Sequence, residues 1–297
     1  MFERIVAAYD GSEPAEAAAA IAIRLAAASG GHVTLTHVVE LPGHSLDVPE
    51  AAASVEHLVE LVEEEWNARM RALAGRAPAD VSLSTEVLSA PRAAPALLDA
   101  LRYGEADLVA AGTSGSGAAR RLLLGSVCEH LLDHAPCSVL LVRDPPPTAD
   151  PPIVVAAVDG SPITADVLAA GEAAARAFDA TLVVAHVIDE RISATARIDA
   201  THPLHAMVRQ RGREILDAAL AQVTLDADRV DESLREGRPD DVIVGLCEER
   251  RARMVVTGTR GLHGFAGLIL GSTARRVVSA APCPALVVRP RDRDAAR

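Results

Sequence analysis

Apolar positions in this chain fall into short runs separated by longer stretches of helical periodicity. Arg4 to Ala8 is a brief apolar run closing on Tyr9-Asp10-Gly11-Ser12. Glu13 to Ala28 has the alanine-rich composition of a helix, with Ser12 placed to cap it, Glu13 and Pro14 in its first turn, and Gly30-Gly31 to stop it. His32 to Val39 alternates β-branched and polar residues as a strand does. After a loop at 41–49, Ala51 to Leu73 reads as a long amphipathic helix with Val55, Leu58, Val59, Val62 and Trp66 on its apolar face. A strand at Val81 to Leu88, a helix at Ala93 to Tyr103, a strand at Leu108 to Ala111, a helix at Ser126 to His134 and a strand at Ser138 to Val142 follow. Strict alternation of strand and helix predicts an α/β fold with a parallel sheet covered on both faces.

The second half repeats the first. Val155 to Ser161 matches Val6 to Ser12 nearly letter for letter, His186-Val187 matches His37-Val38, and Ala281-Pro282-Cys283 matches Ala135-Pro136-Cys137, all offset by 146 to 149 residues. This is a duplicated domain, not a short-period solenoid. The boundaries read as domains at 1–144 and 153–290, a linker at 145–152 rich in proline, and a tail at 291–297.

Each half carries one glycine-rich stretch between a strand and a helix. Gly258-Thr259-Arg260-Gly261, nine residues, then Gly271-Ser272-Thr273 is matched by Gly112-Thr113-Ser114-Gly115, nine residues, then Gly125-Ser126. Close-approaching backbone followed by the free N–H groups of a helix start is the layout of an anion site. Spacing alone points to an anion, with phosphate the obvious guest.

Composition narrows the chemistry. The 297 residues suffice for two cores, and no apolar run reaches membrane-spanning length, so a cytoplasmic location is the expectation. A formal charge of −12 argues against a nucleic-acid partner. Every basic residue other than histidine is arginine, which excludes a lysine-bearing P-loop. The four cysteines form no CxxC pair and read as buried structural thiols. His130 and His134 share a helix face, but no third metal ligand accompanies them.

Taken together, the Val-Asp-Gly-Ser strand end, the Gly-x2-Gly-x9-Gly-Ser/Thr loop and the Ala-Pro-Cys-Pro-Ala-Leu-Val-Val run at Ala281 to Val288 resemble the universal stress protein family in its tandem form. That resemblance implies two Rossmann-like domains, each a five-stranded sheet of order 3-2-1-4-5, with ATP outside the carboxyl ends of the strands. It implies that Asp10 and Asp159 lie under ribose and adenine, and that the backbones of Val38 and Val187 read the adenine edge. Gly112, Gly115, Gly125, Ser126 and Val127, with Gly258, Gly261, Gly271, Ser272 and Thr273, would hold ribose and phosphates. Mg²⁺ would be held mainly by the phosphates. The last strands, read as sheet edges, would pair the domains or a homodimer.

The copies differ. Glu236-Gly237-Arg238-Pro239 precedes the third helix of the second half, where the first has Ala90-Pro91-Arg92-Ala93; Arg120-Arg121 stands where the second has Ala266-Gly267. The second site is expected to be the better preserved. Beyond Asp10, Asp159 and some arginines no catalytic constellation is visible, so the leading reading is a nucleotide-binding stress or signalling regulator. The alternatives are a slow ATPase or phosphotransferase, and a non-catalytic scaffold or chaperone-like protein.

Overall fold

The run Arg4–Ala8 forms β1, and its Ile5, Val6 and Ala7 are buried, as a strand covered on both faces requires. The computed structural model describes residues 1–41, 49–113, 124–143, 150–190, 203–259 and 270–290, side chains of 49–56 and 203–204 excepted. From β1 the chain continues through α1 (Glu13–Ser29), β2 (His32–Glu40), α2 (Pro49–Ala74), β3 (Ser82–Ala90), α3 (Ala93–Tyr103), β4 (Leu108–Gly112), α4 (Ser126–His134) and β5 (Ser138–Val142). The second repeat supplies β6 (Ile153–Val158), α5 (Thr164–Phe178), β7 (Thr181–Asp189), α6 (Pro203–Leu220), β8 (Val230–Gly237), α7 (Pro239–Glu249), β9 (Met254–Gly258), α8 (Ser272–Ala280) and β10 (Ala285–Val288).

Two compact units result, Phe2–Pro136 and Cys137–Arg297. In the first, β1 pairs in parallel with β2 and β4, and β2 with β3, giving β3-β2-β1-β4. In the second, parallel pairing gives β8-β7-β6-β9-β10, the 3-2-1-4-5 order. The strand β5 joins this second unit, antiparallel to β10 with Leu141 opposite Ala285 and Val139 opposite Val287. The expected edge at β10 is therefore covered, which is how an apolar strand whose residues are all buried avoids presenting open N–H and C=O groups.

Local chemistry explains the helix boundaries. Ser12 caps α1, its Oγ accepting from Ala15 N at 3.3 Å, a contact of about 1 kcal/mol. Gly30 closes α1 in the left-handed region at φ 67°, a position glycine takes without strain. Right-handed crossovers put α1 and α2 on one face of the first sheet and α3 and α4 on the other.

Two expectations are corrected. The apolar face of α2 is buried only in part: Met70 is fully covered, contributing roughly 1.5–3 kcal/mol, whereas Leu58 is 59% and Val62 37% exposed. At 26 residues α2 runs about 39 Å, longer than the roughly 30 Å of the nine-residue β3 beside it, so that strand does not match its whole length. Nor does Pro91 replace Gly237. Ala90 lies opposite Glu40 where Gly237 lies opposite Asp189, while Arg92 and Arg238 both precede helices. The first repeat thus carries one extra residue in this turn, and Glu40 Oε1 accepts from Ala93 N at 2.8 Å to cap α3.

Candidate functional site

The site in each unit is built at the carboxyl ends of the strands, where the first and fourth strands diverge. Asp10 follows β1 and Asp159 follows β6. Both form the same turn, with Oδ1 accepting from Ser12 N and Ser161 N respectively at 3.0 Å. This fixes each carboxylate against its own loop and makes neither aspartate the helix cap. Gly11 and Gly160 then need φ of 76° and 77°, which only glycine adopts freely.

Histidine locks the second strand to the first. His37 Nδ1 lies 2.7 Å from the Tyr9 carbonyl and His186 Nδ1 2.9 Å from the Val158 carbonyl, so each ring bears its proton there and donates. Val38 and Val187 are thereby held one residue beyond these ties, both half-buried.

The fourth strands end in Gly112 and Gly258, each followed by a buried threonine, Thr113 and Thr259. A backbone bond closes the loop on each: Gly125 N donates to Thr113 O at 2.9 Å, and Gly271 N to Thr259 O at 2.8 Å. Helices α4 and α8 start immediately afterwards, and neither has a side-chain cap. Ser126 and Val127 in α4, and Ser272 and Thr273 in α8, therefore present first-turn N–H groups at the strand ends. Gly115 and Gly261, with Arg120 and Arg121, lie outside the described residues.

Close approach unites these pieces in the first unit. A Cβ on Gly112 would fall 2.7 Å from Ala15 N and 2.8 Å from Pro14 C, so β4 ends directly against the start of α1. Cys128 donates its thiol to Gly112 O at 3.0 Å, tying α4 to the same point; burial, aided by Asp10 and Glu129, pushes that thiol up to about 12, so it stays protonated. Asp10 acts electrostatically on both Cys128 and His37, which brings β1, β2 and α4 together around it.

The units differ in charge and satisfaction. Aligning the helix starts sets Glu129 and His130 against Arg275 and Arg276. Arg276 is engaged by the buried Asp240 at 2.8 Å. Among the described residues the Ser161 and Thr164 hydroxyls of the second unit are buried without a hydrogen-bond partner, as is that of Thr36 in the first, whereas Ser12 is occupied as a cap. Buried polar atoms of this kind call for an external partner. His130 and His134 pack edge to face with centroids 5.7 Å apart, and His130 Nδ1 lies 3.2 Å from Ser126 O. Among the described residues no group of three or more His, Cys, Asp or Glu is placed to hold a metal, and no helix is long and apolar enough to cross a membrane.

Sequence reasoning missed one neighbour of the first site. Trp66 of α2, the only tryptophan, stacks on His37 with centroids 3.6 Å apart and 17° between planes, and meets Tyr9 edge-on at 6.1 Å. Burial lowers the pKa of His37, against the upward pull of the Tyr9 carbonyl and Asp10, with Arg69 adding to the lowering. The unfolded chain then binds more protons than the folded one. Stability contributed by neutral His37 is present above about pH 6.5 and is lost as pH falls below it towards the folded value. Unfolding followed by Trp66 emission is expected to show this loss as pH falls below about 6.5, and His37→Gln to flatten it; an identical slope in the variant would assign the titration elsewhere.

The model of the universal stress protein family matches residues 1–143 and again 152–289. A universal stress protein of Mycolicibacterium smegmatis is 32% identical over 300 residues, covering 97% of both chains. A universal stress protein of Thermus aquaticus is 37% identical over 143 residues, all of its own length and 48% of this chain. The crystal structure of a putative universal stress protein from Pseudomonas aeruginosa superposes with a TM-score of 0.65 at 20% identity, over 98% of this chain and 94% of that one. With both repeats matched by the family model, the chain belongs to the universal stress protein family in its two-copy form.

Proposed function

We propose that the chain is a cytoplasmic ATP-binding regulator of stress or signalling without strong catalysis, in which 1–144 and 153–290 each form a nucleotide-binding domain. The observation that carries this reading is the uncapped start of α4 and of α8, each delivered to a strand end by a loop closed through Gly125 or Gly271. Such a terminus favours phosphate by N–H donation and by its dipole. In this reading Asp10 and Asp159 accept from ribose, and the backbones of Val38 and Val187 meet the adenine edge. Gly112, Gly115, Gly125, Ser126 and Val127 hold the phosphates in the first domain, and Gly258, Gly261, Gly271, Ser272 and Thr273 in the second. Mg²⁺ would arrive on the phosphates, where its charge screens them. The unpartnered Ser161 and Thr164 hydroxyls fit a polar guest beside the second strand end. A homodimer would have to use a surface other than the inner edge of β10, which β5 already fills.

Equilibrium dialysis against ATP with Mg²⁺ tests the reading, with AMP, ADP and cyclic AMP as competitors. ATP is expected to be retained, and Asp159→Ala to weaken the second site by about tenfold or more, the loss of a hydrogen bond to a charged acceptor. Phosphate release should stay at background. Absence of ATP uptake would overturn the assignment, and steady turnover abolished by Asp159→Ala would turn it into an enzyme.

A further inference from the structure

We propose that α2 and α6 are complementary faces through which one copy of this chain binds another, with α2 of one copy seated against α6 of the next.

The two helices hold matching places in the duplication. A Cβ on Gly11 would lie 3.2 Å from Trp66 of α2, and one on Gly160 3.1 Å from Ile215 of α6, so the helices align with an offset of 149 residues. Leu58 then falls on Met207, 59% and 62% exposed, and Leu61 and Val62 extend the α2 patch by one turn along the same face. Among the described residues the exposed large apolar side chains are these four and Tyr103, so the two helices carry nearly all of the uncovered apolar surface. Such a concentration marks an interaction face.

Charge inverts between the two faces. Glu60 and Glu64 of α2 align with Arg209 and Arg213 of α6, and Val62 with Arg211. From 57 to 65 α2 has four glutamates and no arginine, whereas from 203 to 213 α6 has three arginines and no acidic residue. Arg213 is held within its own unit by Glu232 at 2.6 Å and by Asp217. Arg209 and Arg211 each meet one carboxylate, Glu236 at 3.2 Å and Glu214 at 3.1 Å, with 62% and 72% of their side chains exposed. Exposed pairs of this kind exchange partners at little cost, so both guanidinium groups can reach a facing carboxylate. On α2, Glu64 makes no ion pair among the described residues, and Glu60 meets His57 at 3.7 Å. A net charge of −12 makes copies of this chain repel over most of their surface, so attraction needs a local run of arginine beside apolar surface, which α6 supplies. Each chain carries one acidic and one basic face of this kind, so a second copy satisfies both without an outside partner. The contact is heterologous: two copies close it by forming it twice, or successive copies extend it.

Sedimentation velocity on the full chain tests this between about 1 and 100 µM, at low salt and at about 0.5 M salt. Wild type is expected to exceed the mass of one copy as concentration rises, and less so at high salt. The double variant Glu60→Arg with Glu64→Arg makes both faces basic, and Arg209→Glu with Arg211→Glu makes both acidic. Each alone should associate about tenfold more weakly or worse, and a mixture of the two should regain wild-type association, because every basic face then meets an acidic one. A folding defect could not be repaired by mixing. Leu58→Ser with Leu61→Ser, on exposed positions, should weaken association without removing its salt dependence. A wild-type mass of one copy throughout, a reversed variant that associates as wild type does, or a mixture that stays as weak as its components would each overturn the pairing of α2 with α6.

Discussion

Gly112→Val is expected to destabilise the first unit by about 3 kcal/mol or more, lowering its unfolding midpoint by on the order of 10 °C. Even the first added carbon would sit 2.7 Å from Ala15 N and 2.8 Å from Pro14 C, inside any acceptable contact, and both neighbours are backbone atoms. Backbone yields only by shifting an element. Here that element is the start of α1, which is fixed by the Ser12 cap and by the turn at Asp10. The Gly112 carbonyl also receives the Cys128 thiol, so displacement would pull α4 away as well. Trp66 emission reports the first unit alone, and circular dichroism reports both, so the variant should separate the two melts. A coincident, unshifted transition would mean that the strand end accommodates the side chain and that Gly112 is there for a ligand only.

Glu172→Leu is expected to act on the other unit, by about 2 kcal/mol, and to leave the Trp66 melt unchanged. Glu172 lies buried in the middle of α5, yet it is fully engaged. It accepts from Thr224 N at 2.7 Å, from the Thr224 hydroxyl, and from Arg176 at 2.8 Å. Its carboxylate thus anchors the chain that leaves α6 to the face of α5. The first repeat has Ile23 at the matching position, also buried, which shows that the site tolerates an apolar side chain when no turn hangs from it. Leucine at 172 would keep the packing and lose three donors' acceptor; Glu172→Gln retains part of it and should cost less. Thermal unfolding by circular dichroism checks the order, and equal midpoints for both variants would deny the carboxylate its anchoring role.

Most of the architecture was legible because each strand is a short apolar run bounded by glycine, proline or a polar cap. The limits Ala93–Tyr103, Ser126–His134 and Ser138–Val142 follow from such punctuation. Duplication made the strand ends legible too, since Asp10 and Asp159 recur with the same following residues and adopt the same turn. What escaped were contacts between residues far apart in the chain. Trp66 reads as one more apolar position on a helix; only the fold puts its ring on His37 and its edge on Gly11. Gly112 reads as a loop glycine offered to phosphate, and the approach of α1 that excludes a side chain there belongs to tertiary structure. The exposed face of α2 failed for the converse reason, because periodicity says which residues share a face but not how far the neighbouring sheet extends. At Pro91, letter-by-letter alignment hid an added residue that strand pairing reveals.

The antiparallel pairing of β5 with β10 also imposes an order on biosynthesis. β5 ends at Val142 and its partner begins at Ala285, so at about 5–20 residues per second the ribosome needs roughly 7–30 s to deliver the second strand after the first. Throughout that interval one edge of an entirely apolar-cored strand, Ser-Val-Leu-Leu-Val, waits without its native neighbour. Hairpin formation takes microseconds, so this contact is limited by translation and not by folding. The nascent chain is open to pairing with other chains through that edge until β10 emerges.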